Sequence, residues 1–187
     1  MHASLWAPWR LAYLRDLDRK AEAADGSPQA GGTGGAAAPA GTPRDGDFLR
    51  AAWERPELDA ANFVVDRTAA GLILLNRYPY ANGHLLVALG KACPALLDYL
   101  PQERAALWGL VDRAVDLCHR AFRPHGVNIG VNEGRAAGAG VPSHLHVHVV
   151  PRWDGDTNFM SVVGEVRVIP DALESVAAMY RAAAGRG

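Results

Sequence analysis

Three histidines alternate with aliphatic residues in His144-Leu145-His146-Val147-His148, and Val149 and Val150 follow. Successive side chains of an extended strand point to opposite faces. The spacing therefore predicts a strand over residues 144–150, with the three imidazoles in a row on one face and Leu145, Val147 and Val149 on the other. The apolar face can bury against a helix. A core strand has no reason to spend three alternate positions on histidine unless they are used, and three uses fit these residue types. One is a metal site, since histidine is the commonest transition-metal ligand. A second is nucleophilic catalysis, in which one imidazole attacks while its neighbours set its tautomer and move protons. The third is a satisfied polar strip facing solvent.

The neighbouring segments weigh on this choice. The stretch from Asn132 to Ser143 contains Gly134, Gly138 and Gly140 and is short of side chains where it meets the row. Glycines there let backbone N–H groups come close to a phosphate, as in other anion-binding loops. A metal shell would call for carboxylates or thiols nearby, and this loop supplies only Glu133. Upstream, Asn76 stands at the end of one predicted strand, and Gly83-His84 opens the next.

These residues need a frame to hold them. Residues 47–53 read as a short helix ended by Pro56, and residues 62–66 and 71–76 as strands joined by a turn. A loop over 78–83 leads to a third strand over 84–89. Pro101 opens the longest helix, which runs to Phe122. Its Leu107, Leu110, Val111, Ala114, Leu117, Cys118, Ala121 and Phe122 recur at helical spacing, and Pro124 and Gly126 stop it. A strand over 127–131, the glycine-rich loop and the histidine strand follow, the last ended by Pro151. After a loop from Arg152 come a strand near 166–169 and a helix over 171–184. Hairpin-linked strands with separately grouped helices predict an α+β fold: an antiparallel sheet of about five strands, a long helix packed on it, and a C-terminal helix.

Composition sets outer limits. The chain has 187 residues, with 19 basic against 20 acidic side chains, a formal net charge of -1. Gripping nucleic acid through bulk positive charge needs a basic patch that this balance does not offer. Apolar runs such as residues 72–75 and 85–89 are far too short to span a bilayer. The first ten residues contain Pro8, Trp6 and Trp9 and no apolar core of a secretory signal, so a cytoplasmic address is expected. Cys93 and Cys118 cannot build a disulfide framework or a four-cysteine zinc site. Residues 1–20 form an aromatic segment expected to pack on the body. Residues 21–43 are an insertion of mostly Ala, Gly and Pro, expected to be flexible, and residues 44–187 are the working domain.

Taken with its surroundings, the row resembles the His-x-His-x-His-x-x signature of the histidine triad (HIT) family of nucleotidyl hydrolases and transferases, x being hydrophobic. Residues 76–87, NRYPYANGHLLV, are similar to the family's Asn/Asp-x-x-Pro-x-x-x-Gly/Thr-His segment. Asn132, Gly134 and Gly138 sit where the family has Asn-x-Gly and Ala-Gly before the triad. The resemblance covers roughly residues 47–160. Within the family it is nearest to bacterial diadenosine tetraphosphate (Ap4A) phosphorylase-like proteins, through Trp6-Ala7-Pro8-Trp9-Arg10, residues 124–130 and residues 148–159.

The resemblance implies a HIT-like fold and a division of labour. His146 is the expected nucleophile, giving a nucleotidyl-histidine intermediate. His148 hydrogen-bonds the phosphate or leaving group, His144 holds the row in register, and His84 supports the site. Asn76 is expected at the ribose hydroxyls, Asn132 and the Gly138, Ala139 and Gly140 backbone at the phosphate, and Trp153 over the site. His2, His119 and His125 match nothing in the motif. No metal is required for the chemistry, and any Mg2+ enters with the substrate phosphates. Two departures stand out. Phosphorylase-like relatives carry a Gly-Ser pair before the triad where this chain has Ala139-Gly140, so a hydroxyl that helps hold inorganic phosphate is absent. Zinc-binding relatives use Cys-x-x-Cys where this chain reads Gly46-Asp47-Phe48-Leu49-Arg50, and no zinc is expected. The expected partners are a dinucleoside polyphosphate or nucleotide, inorganic phosphate if the enzyme is a phosphorylase, and a second copy in a homodimer. No nucleic acid or membrane partner is expected. The competing activities are hydrolysis of adenosine 5'-phosphoramidates and nucleotide or metal binding without turnover.

Overall fold

The computed structural model describes residues 47–156 and 171–185, all within one unit, Thr42–Gly187. The expectations for residues 1–20, for the 21–43 insertion and for a strand near 166–169 lie outside the described residues.

The first helix, α1 (Phe48–Glu54), starts at Asp47, whose carboxylate accepts the Arg50 N–H at 2.9 Å as an N-cap. Strands β1 (Val64–Arg67), β2 (Gly71–Leu75) and β3 (Leu85–Leu89) follow as an antiparallel meander. Next come α2 (Pro101–Phe122), β4 (Gly126–Val131), β5 (Val147–Arg152) and α3 (Leu173–Ala183). The strands pair β1-β2-β3-β5-β4, every pair antiparallel. This is the expected α+β fold.

All residues of β2 and β3 are buried, because helices cover both faces. Ile73, Leu75, Leu85, Val87 and Leu89 meet the buried stripe of α2 and Val176, Ala177 and Tyr180 of α3. Leu72, Leu74, Leu86 and Ala88 meet Leu49 and Ala52 of α1, with Trp53 at the edge. Two-sided burial explains why these strands read as unbroken aliphatic runs rather than alternating ones. Each fully buried aliphatic side chain contributes about 1.5–3 kcal/mol relative to its exposed state.

The long helix has the expected limits. Pro101 occupies its first turn, the Glu103 carboxylate accepts the Leu100 N–H at 2.7 Å, and Arg123, at φ +47°, ends it in the left-handed region. Among the described residues no helix is long and apolar enough to cross a membrane.

The histidine strand differs from the sequence expectation at both ends. It begins at Val147 rather than at His144. The Leu145 N–H turns away from the ladder to donate to the Cys93 carbonyl at 2.8 Å, and His144 N–H donates to Val141 O at 3.1 Å. It also runs through Pro151 to Arg152 instead of stopping there. Pairing with β3 ends at Val149, so the missing N–H of Pro151 breaks no bond on that side.

Candidate active site

His148 lies opposite Leu86, so its side chain stands on the α1 face of the sheet, while Val147 and Val149 join the core under α2. The alternation expected from sequence therefore operates here, although His144 and His146 are held by loop bonds and not by the ladder. All four expected histidines are brought together: His84 and His144 are fully buried, and His146 and His148 are 4% and 9% exposed. His119 and His125 lie on the exposed surface.

The tautomers follow from partners that have no choice of role. A backbone N–H can only donate, and that of Tyr80 meets His84 Nδ1 at 3.0 Å. The His84 proton is therefore on Nε2, which donates to His148 Nδ1 at 2.9 Å. His148 in turn carries its proton on Nε2. The roles of the ring nitrogens reverse at His146. Its Nδ1 faces the His144 carbonyl at 2.9 Å, and a carbonyl can only accept. His146 is thus protonated on Nδ1 and keeps the lone pair on Nε2, which has no hydrogen-bond partner among the described residues. Two rings with centroids 5.1 Å apart hold opposite tautomers, one offering a lone pair and the other a proton.

Both rings are held neutral. Burial pushes His146 below the ordinary imidazole value of 6.5, against the raising effect of its bond to the His144 carbonyl. Burial, helped by neighbouring His146, pushes His148 down to about 4.

His144 is arranged differently. Its Nδ1 meets the Asp47 carboxylate at 2.8 Å, and its Nε2 meets the Leu89 carbonyl at 2.8 Å. Both partners are acceptors, so each ring nitrogen of His144 faces an acceptor. Among the described residues no group of three or more His, Cys, Asp or Glu is arranged to hold a metal ion.

The face of His148 borders an open trough of about 200 Å³ lined by Tyr80, Asn128, Ile129, Gly130, Asn132 and Val150. The Tyr80 ring stacks on His148 at 5.6 Å and 17°. Asn132 Nδ2 lies 3.5 Å from His148 Nε2. Since that nitrogen carries hydrogen, the two groups are parallel donors rather than partners, and both line the trough. Paired donors with no acceptor between them suit an anion.

Other expected residues have definite places. Asn76 accepts the Tyr78 N–H at 2.9 Å and turns its amide toward His84 Nδ1 at 3.3 Å, so it braces the loop that aims His84. Gly138, at φ +87°, and Ala139 spend their N–H groups inside the loop, on Arg135 O and Gly134 O. Of the three expected phosphate-facing N–H groups, only that of Gly140 lacks an acceptor among the described residues. Trp153 opens the turn after β5, its N–H donating to Asp156, and it does not line the trough.

The site also uses groups that the sequence did not single out. Asp47 is 97 residues from His144, and its only local signal is that of a helix N-cap. The Leu89 carbonyl and Tyr80 N–H are backbone groups and leave no mark in side-chain identity. Tyr180 of α3 donates to the Gly83 carbonyl at 2.7 Å, just before His84. Gly83 has φ +75°, and a Cβ there would lie 3.0 Å from the Tyr180 hydroxyl.

This fold agrees with the comparisons. Residues 57–155 match the HIT domain, and the chain belongs to the histidine triad family. It is similar to the AP-4-A phosphorylase of Mycobacterium tuberculosis, with 38% identity over 170 residues, 90% of this chain and 77% of that protein. It is 36% identical over 93 residues to the asymmetrical bis(5'-nucleosyl)-tetraphosphatase of Schizosaccharomyces pombe, 50% of each chain. Among solved structures, a Zn-bound histidine triad family protein from Mycobacterium smegmatis superposes with a TM-score of 0.60 at 28% identity, covering 75% of this chain and 96% of that one. The chain is thus related to proteins named for phosphorolysis and hydrolysis of dinucleoside polyphosphates.

Proposed function

We propose that this chain is a nucleotidyl-transferring enzyme that cleaves a dinucleoside polyphosphate of the Ap4A type through a covalent intermediate on His146. The observation that carries the reading is the pair of opposite tautomers: a free lone pair on His146 Nε2 beside a proton on His148 Nε2. A neutral imidazole is already nucleophilic near pH 7 and needs no further activation.

In the first step, His146 Nε2 attacks the α-phosphorus. A P–N bond forms, and the bond from phosphorus to the bridging oxygen breaks. His148 Nε2–H stands ready to donate to the departing oxygen, which leaves with the rest of the polyphosphate as ATP when the substrate is Ap4A. Asn132 and the Gly140 N–H donate to the non-bridging oxygens as negative charge builds on them. In the second step an acceptor oxygen attacks the same phosphorus, the P–N bond breaks, and its electron pair returns to His146 Nε2. Phosphate as acceptor gives ADP, and water gives AMP. Likeness to the mycobacterial phosphorylase favours phosphate. The absence of a hydroxyl at Ala139-Gly140 favours water.

The test is product analysis with Ap4A and Mg2+, with and without inorganic phosphate. ADP formed only with phosphate identifies a phosphorylase, and AMP formed regardless identifies a hydrolase. If Ap4A is untouched while an adenosine 5'-phosphoramidate is cleaved, the substrate class is wrong. If neither reacts, the enzymatic reading fails and nucleotide or metal binding without turnover takes its place.

A further inference from the structure

We infer that Asp47 is a positioning residue for the nucleophile, acting through a partly buried ion pair with His144. The inference rests on the reading of His146 as the attacking group and extends it to a residue outside the triad. His144 is fully buried, and both its ring nitrogens meet acceptors, the Asp47 carboxylate and the Leu89 carbonyl, each at 2.8 Å. An imidazole that donates at both nitrogens carries a positive charge, and the Asp47 carboxylate balances it.

The consequence passes along the backbone. The carbonyl of His144 is the group that accepts the His146 Nδ1–H at 2.9 Å, and this bond selects the tautomer with the lone pair on Nε2. Without the Asp47 charge, a neutral His144 can donate at only one nitrogen. One of its two anchors is then lost, and the bend that aims its carbonyl loosens. His146 becomes free to move its proton to Nε2, the tautomer that cannot attack. Asp47 also caps α1, whose Leu49 and Ala52 cover the same face of the sheet. The ion pair therefore couples the docking of α1 to the tautomer of the nucleophile.

Asp47→Ser separates these roles. Serine caps a helix about as well as aspartate but is uncharged and too short to reach the imidazole. The variant is expected to fold and to lose about ten- to hundredfold in the rate of the first chemical step, with little change in KM. Imidazole 15N spectra supply the second readout. In the wild type, His144 is expected to show hydrogen on both nitrogens and His146 on Nδ1 alone. In Asp47→Ser, His146 is expected to show mixed tautomers. A wild-type rate for Asp47→Ser, or a single ring N–H on His144 in the wild type, overturns the inference. The second measurement stands even if the variant does not fold. Activity retained by His146→Ala would instead sink the nucleophile reading itself, so the two failures are distinguishable.

Discussion

Replacing Tyr180 by Phe removes one oxygen atom from the back of the site and leaves the shape of the core unchanged. Tyr180 is fully buried, its hydroxyl donates to the Gly83 carbonyl at 2.7 Å, and Cys118 Sγ lies 3.1 Å from the same oxygen. The hydroxyl proton is committed to Gly83, so the thiol is the donor in the second contact, and burial keeps that thiol protonated, at about 11. Phenylalanine fills the same volume, so no cavity forms. What is lost is the partner of a buried carbonyl, worth about 1–3 kcal/mol, with a smaller share from the weak thiol bond. A net loss of about 2 kcal/mol corresponds to roughly 5 °C in Tm for a domain of this size. Urea unfolding of both proteins, followed by tryptophan fluorescence, measures it directly, and an unchanged m-value makes the comparison valid. Because Gly83 precedes His84, turnover is also expected to fall several-fold. A stability change below about 0.5 kcal/mol would show that the hydroxyl does not brace Gly83, and the argument from an unsatisfied buried carbonyl would fail.

Four further outcomes are expected. The proposed mechanism needs both His146 and His148 neutral, and both are pushed below 6.5, so the acid limb of kcat/KM should lie below 6.5. A limb at or above that value contradicts the burial argument. The same sign governs stability: the His148 contribution is complete above its unfolded value near 6.5 and is lost as pH falls toward about 4, which unfolding curves across that range will show. Gly71→Ala would put a Cβ 2.2 Å from the Ala88 carbonyl oxygen and 2.8 Å from the Leu89 Cα. Backbone atoms of β3 cannot give way, so denaturation should show a loss of about 3 kcal/mol, and a near-wild-type curve would contradict the β2–β3 register. Asn132→Asp replaces a donor beside His148 with an anion, and kcat/KM should fall at least about a hundredfold. An unaffected variant would remove the paired-donor argument for phosphate.

Local signals carried most of the frame. Pro101, the aliphatic stripe of α2 and Pro124 all lie in the helix or directly beside it, and the helix has the limits they imply. The aliphatic runs of β2 and β3 mark strands, and their burial on both faces is seen only in the folded chain. The start of β5 was not legible, because His144 to His146 are held by Cys93, Leu89 and Asp47, all far away in sequence. Residue types alone could place the three histidines side by side but could not assign their protons. That assignment depends on one backbone N–H at Tyr80 and one carbonyl at His144, which only the folded chain brings into reach. Composition shows that the glycine loop is short of side chains. Its N–H groups at Gly138 and Ala139 close the loop's own turn, a use that composition cannot reveal.

The proposed reaction passes through a covalent bond between His146 and a nucleotidyl group. Mixing the protein with Ap4A for milliseconds, quenching in base to preserve the acid-labile P–N bond, and mapping peptides by mass spectrometry tests it directly. One adenylyl group on His146, formed and consumed at rates that match turnover and absent from His146→Ala, is the expected result. Full turnover with no adduct at any time, or an adduct on a different residue, would contradict it.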